Sequence, residues 1–128
     1  MKKLMTIAAA LIAATSVHAA DLGPSDIQKA IETYKANELR FTRDYVGKSI
    51  EFTWVLNKVS SQLFGNGYRV SFGKGGFSGG VDCIISDQTM LDTILEWNKG
   101  QRVNVYGVIK DVTVGDLQLK QCKVTAIN

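Results

Sequence analysis

Histidine is nearly absent from this 128-residue sequence, and its scarcity limits the chemistry that the chain can perform. The one histidine, His18, lies in an N-terminal segment that we expect to be removed. A mature chain without imidazole cannot use a Ser-His-Asp or Cys-His site, and it cannot bind a metal through histidine. These enzyme classes are therefore excluded. We predict no catalytic residues, no metal site and no cofactor.

Long apolar runs are also scarce, and the one at the N-terminus is too short to span a membrane. It follows Lys2 and Lys3 and ends at Ala14, whereas a bilayer span needs about 20 apolar residues. A basic start, an apolar centre and small residues before the cleavage point are typical of a signal peptide. We expect cleavage after Ala19, which would leave residues 20–128 as one periplasmic domain without a membrane anchor.

Neither sign of charge is in excess once the signal peptide is removed. The full chain has 15 Lys plus Arg and 12 Asp plus Glu, and residues 1–19 contain two lysines and no acid, which leaves 13 basic against 12 acidic side chains. Nucleic-acid binding depends mainly on the neutralisation of phosphates. The near-neutral charge of the mature domain therefore disfavours an oligonucleotide as its ligand.

Only two cysteines are present, Cys83 and Cys122, and both lie in the mature part. Disulfides persist in oxidising compartments, and no third cysteine offers a competing partner. Two buried free thiols are the alternative, because cysteine also packs as a small apolar residue. We predict a structural disulfide, since the sequence has no Cys-x-x-Cys redox motif.

The mature chain opens with a helical pattern. Ser25 and Gln28 have the spacing of a capping box, and apolar residues then recur at steps of three, four or seven as far as Tyr45. This pattern predicts one helix over residues 26–45, ended by Gly47.

Beyond this helix, five segments have the alternating apolar and polar pattern of β-strands. A second helical pattern, over residues 90–97, lies between the third and the fourth of them. This order is that of the OB fold, a five-stranded Greek-key barrel. We therefore predict a mainly β domain, an OB-type barrel with an N-terminal helix and a helix between strands 3 and 4. The predicted strands are 48–60, 68–72, 81–85, 103–112 and 117–127.

Two details of the last predicted strand follow from the barrel. In an OB barrel the third and fifth strands are neighbours, so Cys83 and Cys122 would lie on adjacent strands. Leu119 and Cys122 differ in parity, and a strand can bury both side chains only if an extra residue intervenes. We expect this β-bulge near Lys120 and Gln121.

A set of residues along the mature chain also matches a known bacterial family. They are Tyr34, Asn37, Glu38, Tyr45, Gly47, Lys48, Gly100, Gln101, Val103, Val105, Gly107, Leu119 and Cys122. This pattern resembles the tRNA-anti-like family of exported OB-fold proteins. The resemblance implies an OB fold and export, and it implies no particular ligand, because fold does not determine function. The sequence departs from the family in the first strand, where Thr53, Trp54 and Val55 replace a segment that usually contains a glycine.

The glycine-rich run over residues 73–80 resembles a phosphate-binding loop in its glycine content alone. Lys74 is followed by Gly75 rather than by Ser or Thr, and the segment joins two strands instead of opening a helix. We interpret it as a hairpin connection with Phe77 at its tip.

Aromatic and basic residues are concentrated on or beside the second and third predicted strands, where OB domains commonly bind nucleic acid or sugar. Aromatic rings with nearby cations suit either ligand, although strand alternation must turn about half of these side chains into the barrel. Trp54, on the first strand, is either a core residue or a stacking platform. The predicted ligand-binding residues are Trp54, Phe64, Tyr68, Arg69, Phe72, Lys74 and Phe77.

The carboxylates show no pairing that would indicate general acid and base catalysis. Glu51, Asp82, Asp87 and Asp92 are scattered, and we interpret them as solvated surface charges. The leading hypothesis is a non-catalytic periplasmic OB-fold module that binds an envelope protein or a glycan. An oligonucleotide-binding OB domain is the alternative, and a carboxylate-dependent hydrolase is the weakest option.

Overall fold

A computed structural model describes residues 20–21, 24–61, 67–73 and 79–128. The predicted signal peptide, residues 1–19, and three of the predicted ligand-binding residues, Phe64, Lys74 and Phe77, lie outside the described residues. Within the described ranges, no helix is both long enough and apolar enough to cross a bilayer.

The described chain alternates between short helices and strands in the predicted order, with one additional strand at its start. The predicted barrel strands are confirmed, and residues 68–72 and 81–85 agree with their observed bounds. The additional strand was not predicted, because two residues carry no alternating pattern. The elements are β1 (Ala20–Asp21), α1 (Pro24–Ala36), α2 (Glu38–Tyr45), β2 (Ser49–Ser61), β3 (Tyr68–Phe72), β4 (Val81–Ile85), α3 (Gln88–Leu95), β5 (Arg102–Thr113) and β6 (Asp116–Ala126).

The prediction of one continuous N-terminal helix is wrong, because the chain breaks at Asn37. This residue is extended, with φ −162° and ψ 100°, and its side-chain oxygen accepts a hydrogen bond from the backbone N–H of Arg40, so it caps the start of α2. Helix α1 begins at Pro24, which places Ser25 inside the first turn rather than before it. The chain leaves α2 through Gly47, whose φ of +89° favours glycine.

Strands β2 to β6 close into a five-stranded barrel, which confirms the predicted OB fold. The order around the barrel is β2, β3, β4, β6, β5 and back to β2. Strands β4 and β6 are parallel, and the other neighbouring pairs of the barrel are antiparallel. The short strand β1 pairs in parallel with the start of β2. This topology places the predicted third and fifth strands side by side.

The hydrophobic core occupies the barrel interior and continues beneath the helices. Phe52 of β2 and Phe72 of β3 are its largest barrel residues, and both are almost fully buried. Phe41 of α2 and Ile94 of α3 belong to the same cluster of buried side chains. Burial of a large apolar side chain stabilises the fold by about 1.5 to 3 kcal/mol relative to exposure.

The bulge predicted in the last strand is confirmed at Gln121. Its φ is +54°, and the pairing of β6 with β5 shifts between Lys120 and Lys123. The extra residue allows Leu119 and Cys122 to be buried on the same side of the strand, as the parity argument required.

The predicted disulfide is also confirmed. Cys83 of β4 and Cys122 of β6 are bonded, and their Cα atoms are 6.2 Å apart. Gly107 of β5 lies against this bridge: a Cβ atom at that position would come within 3.0 Å of Leu119 Cδ1 and 3.2 Å of Cys122 Sγ. The glycine therefore lets β5 approach the bridge more closely than a larger residue would.

Candidate ligand-binding face

Strand pairing brings polar side chains together on the outer surface of the barrel. On β3, Arg69 and Ser71 alternate with buried residues. The register sets Ser71 beside Lys58 of β2 and Asp82 of β4, and it sets Asp82 beside Gln118 of β6. We name these five residues, Lys58, Arg69, Ser71, Asp82 and Gln118, the polar face.

Asp82 is the centre of the polar face, and it is only 4% exposed. The interpretation of Asp82 as a solvated surface charge is therefore wrong. Its Oδ1 accepts a hydrogen bond from Ser71 Oγ at 2.8 Å. Its Oδ2 lies 3.9 Å from Arg69 Nε, which is close enough for an ion pair and too long for a hydrogen bond.

Arg69 contributes both a buried atom and an exposed group to this surface. Its Nε is buried and has no hydrogen-bond partner among the described residues, whereas its side chain as a whole is 41% exposed. The guanidinium can therefore donate hydrogen bonds outward while it stays close to Asp82. Gln118 is held at the margin of the face, because its Oε1 accepts a hydrogen bond from Thr113 Oγ1 at 3.3 Å.

The electrostatic environment of Asp82 combines opposing effects. Burial raises the pKa of its carboxyl above 3.8, and the negative charge of Asp116 acts in the same direction. The hydrogen bond from Ser71 and the positive charges of Arg69 and Lys58 lower the pKa, but the net shift is upward. The described residues contain no cluster of three or more His, Cys, Asp or Glu side chains that could hold a metal ion.

The raised pKa predicts that Asp82 makes the protein less stable as the pH rises. The folded state favours the protonated carboxyl, so protonated Asp82 contributes stability to the fold. This stability is fully present below about pH 3.8 and is lost as the pH rises through the raised folded-state pKa. Asp82→Asn, which is uncharged at every pH, should gain stability relative to the wild type over that range. Urea unfolding midpoints of both proteins, measured from about pH 3.5 to 7, test this. A difference that is constant with pH, or that grows as the pH falls, would contradict the assignment.

The structure brings only some of the sequence-predicted ligand residues to this surface. Arg69 belongs to the polar face. Tyr68 is 40% exposed at the start of the same strand, but it has the parity of the buried Phe72 and so lies outside the polar face. Phe72 is 1% exposed and lies in the barrel core. Trp54 is half-buried, with its ring close to Gly73, and it packs against the core. Phe72 and Trp54 are therefore not part of the polar face.

Four residues of the polar face were not among the predicted ligand residues. The prediction selected aromatic and basic residues on or beside two strands, and it did not include Lys58, Ser71 or Gln118. Asp82 has the charge of an ordinary surface residue. The hairpin register offered a signal, because strands 68–72 and 81–85 pair position 71 with position 82. That pairing places a hydroxyl beside a carboxylate.

Three solved structures share the barrel, at sequence identities that establish the fold alone. A lipoprotein from Klebsiella pneumoniae subsp. pneumoniae MGH 78578, proposed to bind nucleic acid, is 16% identical with a TM-score of 0.56, covering 75% of this chain and 85% of that one. The OBody AM1L10, bound to hen egg-white lysozyme, is 9% identical with a TM-score of 0.52, covering 66% and 83%. A Leishmania major Friedlin protein, provisionally assigned as an aspartyl-tRNA synthetase, is 13% identical with a TM-score of 0.56. The match covers 90% of this chain and 22% of the Leishmania chain.

The sequence itself identifies the family. No curated protein sequence is significantly similar to this chain. The sequence model of the family described as tRNA_anti-like, however, matches residues 8–123, which include barrel strands β2 to β5 and most of β6. The chain belongs to the tRNA_anti-like family.

Proposed function

We propose that this chain is a non-catalytic, exported binding module that holds a glycan on its polar face. The observation that carries the proposal is the mixture of donors and acceptors around Asp82. Asp82 Oδ2 can accept hydrogen bonds, and the guanidinium of Arg69 can donate them. A sugar hydroxyl both donates and accepts, so it can satisfy these two groups at once.

The same mixture is a poor match for a phosphate group. Phosphate oxygens only accept hydrogen bonds, and the buried carboxylate of Asp82 would repel them. Asp82 also offsets the positive charge of Arg69, so Lys58 is the remaining cation of the polar face. A neutral, hydroxyl-rich ligand therefore fits this surface better than a nucleic-acid backbone does.

Export and the absence of catalysis rest on two further observations. The disulfide between Cys83 and Cys122 is typical of proteins in oxidising compartments, which supports export of the mature domain to the periplasm. Asp116, the acidic residue that raises the pKa of Asp82, accepts a hydrogen bond from the backbone N–H of Gly80 at 3.0 Å. Asp116 therefore has a structural partner, which favours binding over hydrolysis by two carboxylates.

An oligonucleotide is the second candidate ligand. The family name and the description of the Klebsiella lipoprotein as a nucleic-acid binder favour it. Arg69 and Lys58 supply cations on strands β3 and β2, and OB domains commonly bind nucleic acid on this part of the barrel.

A glycan array followed by calorimetric titration tests the proposal. The processed protein is screened against bacterial envelope oligosaccharides, and the strongest ligand is titrated into wild type and Arg69→Ala. Loss of a hydrogen bond from a charged donor should weaken binding by about 10- to 100-fold. The matched control is Arg40→Ala, which removes an exposed arginine from α2 and should bind like the wild type.

Two outcomes would reject a glycan function for the polar face. One is equal affinity of Arg69→Ala and wild type for the best glycan. The other is tighter binding of a thymidine oligonucleotide than of any glycan at physiological salt, which would promote the second candidate.

A further inference from the structure

A second outer surface of the barrel concentrates positive charge on β5 and β6. Lys48, just before β2, adjoins this surface, because its carbonyl accepts a hydrogen bond from the backbone N–H of Ile109 at 2.9 Å. Strand alternation turns Arg102 and Lys110 of β5 outward, and the bulge at Gln121 leaves Lys120 and Lys123 of β6 both exposed. We name the exposed side chains of this surface the basic face. They are Lys48, Arg102, Lys110, Lys120 and Lys123.

Few acidic side chains offset these five cations. Glu51 lies on the same surface, and it accepts a hydrogen bond from Asn104 Nδ2 at 2.8 Å. Asp111 follows Lys110 at the margin. Asp44 lies near Lys48, but it is paired with Arg43 at 2.7 Å.

The cations of the basic face are also unengaged. Throughout the described ranges, none of the five forms an ion pair within 4 Å or a side-chain hydrogen bond. Most of their positive charge is therefore available to a partner. Five of the 13 basic side chains of the mature domain therefore lie on this one surface.

We propose that the basic face docks the protein onto an anionic phospholipid surface. Four of its five cations are lysines, whose flexible stems reach a plane of headgroups without a fixed geometry. Each lysine close to an anionic bilayer adds to the attraction. Arg102 is the one arginine of the basic face. The planar guanidinium of arginine matches individual phosphates, whereas lysine does not require such a fixed geometry.

The aromatic content of the basic face favours lipid over nucleic acid. Binding of single strands depends on exposed rings that stack against bases. Tyr106, the tyrosine of this surface, is half-buried, and its hydroxyl donates a hydrogen bond to Ser49 Oγ at 3.2 Å. Strands β3 and β4 are not part of the basic face, so docking leaves their outer surface free. Docking through the basic face therefore does not require a glycan on the polar face.

Co-sedimentation with vesicles tests the docking surface. We expect the protein to bind vesicles of phosphatidylcholine with about 30% phosphatidylglycerol and not to bind vesicles of pure phosphatidylcholine. Salt at about 0.5 M should release the bound protein. Lys120→Gln with Lys123→Gln should reduce partitioning by about thirtyfold, the loss expected for two surface lysines. Lys48→Gln with Lys110→Gln should do the same, and it replaces the first variant if that variant does not fold.

The matched control removes the same charge elsewhere. Lys29→Gln with Lys99→Gln changes one exposed lysine of α1 and one after α3, and it should partition like the wild type. Each of three outcomes would overturn the proposal. The control and the face variants could lose partitioning equally, the protein could bind both kinds of vesicle equally, or the face variants could partition like the wild type. Binding of a thymidine oligonucleotide that depends on Lys120 and Lys123, without vesicle binding, would overturn it in favour of nucleic acid.

Discussion

Replacing both cysteines, Cys83→Ser with Cys122→Ser, should lower the free energy of unfolding by about 2 to 5 kcal/mol. The two residues are 39 positions apart, and a cross-link of that span restricts the unfolded chain by about 4 kcal/mol in the chain-entropy model. Both sulfur-bearing side chains are buried, so the new hydroxyls would also need hydrogen-bond partners. Urea unfolding of both proteins measures the difference.

The wild-type protein in reductant is the control for this variant, because it loses the bond and keeps both sulfur atoms. An unfolding midpoint that does not change on reduction would show that the bridge contributes nothing to stability. Thiol titration of the denatured protein should find no free thiol. Ligand binding should survive in the double variant at temperatures where it stays folded, since neither sulfur belongs to the polar face.

Replacing the ring that sequence reasoning assigned to the ligand, Phe72→Ala, should cost about 3 to 5 kcal/mol of stability. Phe72 is 1% exposed on β3, and removal of its ring leaves a cavity in the barrel. The matched control is Tyr68→Ala on the same strand, where a 40% exposed ring should cost about 1 kcal/mol or less. Unfolding in urea, compared for both variants, tests the assignment.

The two variants also separate a core role from a ligand role. Phe72→Ala should change ligand affinity little at temperatures where it remains folded, because its ring points into the barrel. A variant of Phe72 with wild-type stability and lost binding would show that the ring faces the ligand after all.

The alternation of apolar and polar residues predicted much of the fold, because a barrel strand buries every second side chain. Residues 68–72 and 81–85 matched their observed bounds, and the parity conflict between Leu119 and Cys122 located the bulge at Gln121. The break at Asn37 was missed for a physical reason. Apolar residues on both sides of it keep helical spacing, so periodicity continues through a residue whose side chain starts a new helix.

The candidate site was less predictable, because burial of a polar residue depends on tertiary contacts. Asp82 has no distinguishing feature in the sequence, and its role becomes visible only when Ser71 and Arg69 of the neighbouring strand approach it. Phe72 shows the opposite error: an aromatic residue in the expected region was assigned to the ligand, although alternation on β3 turns it inward.

The closure of the barrel has a consequence for the rate at which the chain folds. Strand β2 pairs with β5, where Ser49 lies opposite Val108, and β4 pairs with β6, so the strands of these two pairs are distant along the chain. Folds dominated by such non-local contacts search longer for their native pairing, and typical domains of this kind fold in milliseconds to seconds. A bridge that is already formed holds β4 and β6 together during that search. The disulfide therefore bears on how fast the barrel assembles as well as on how stable it is.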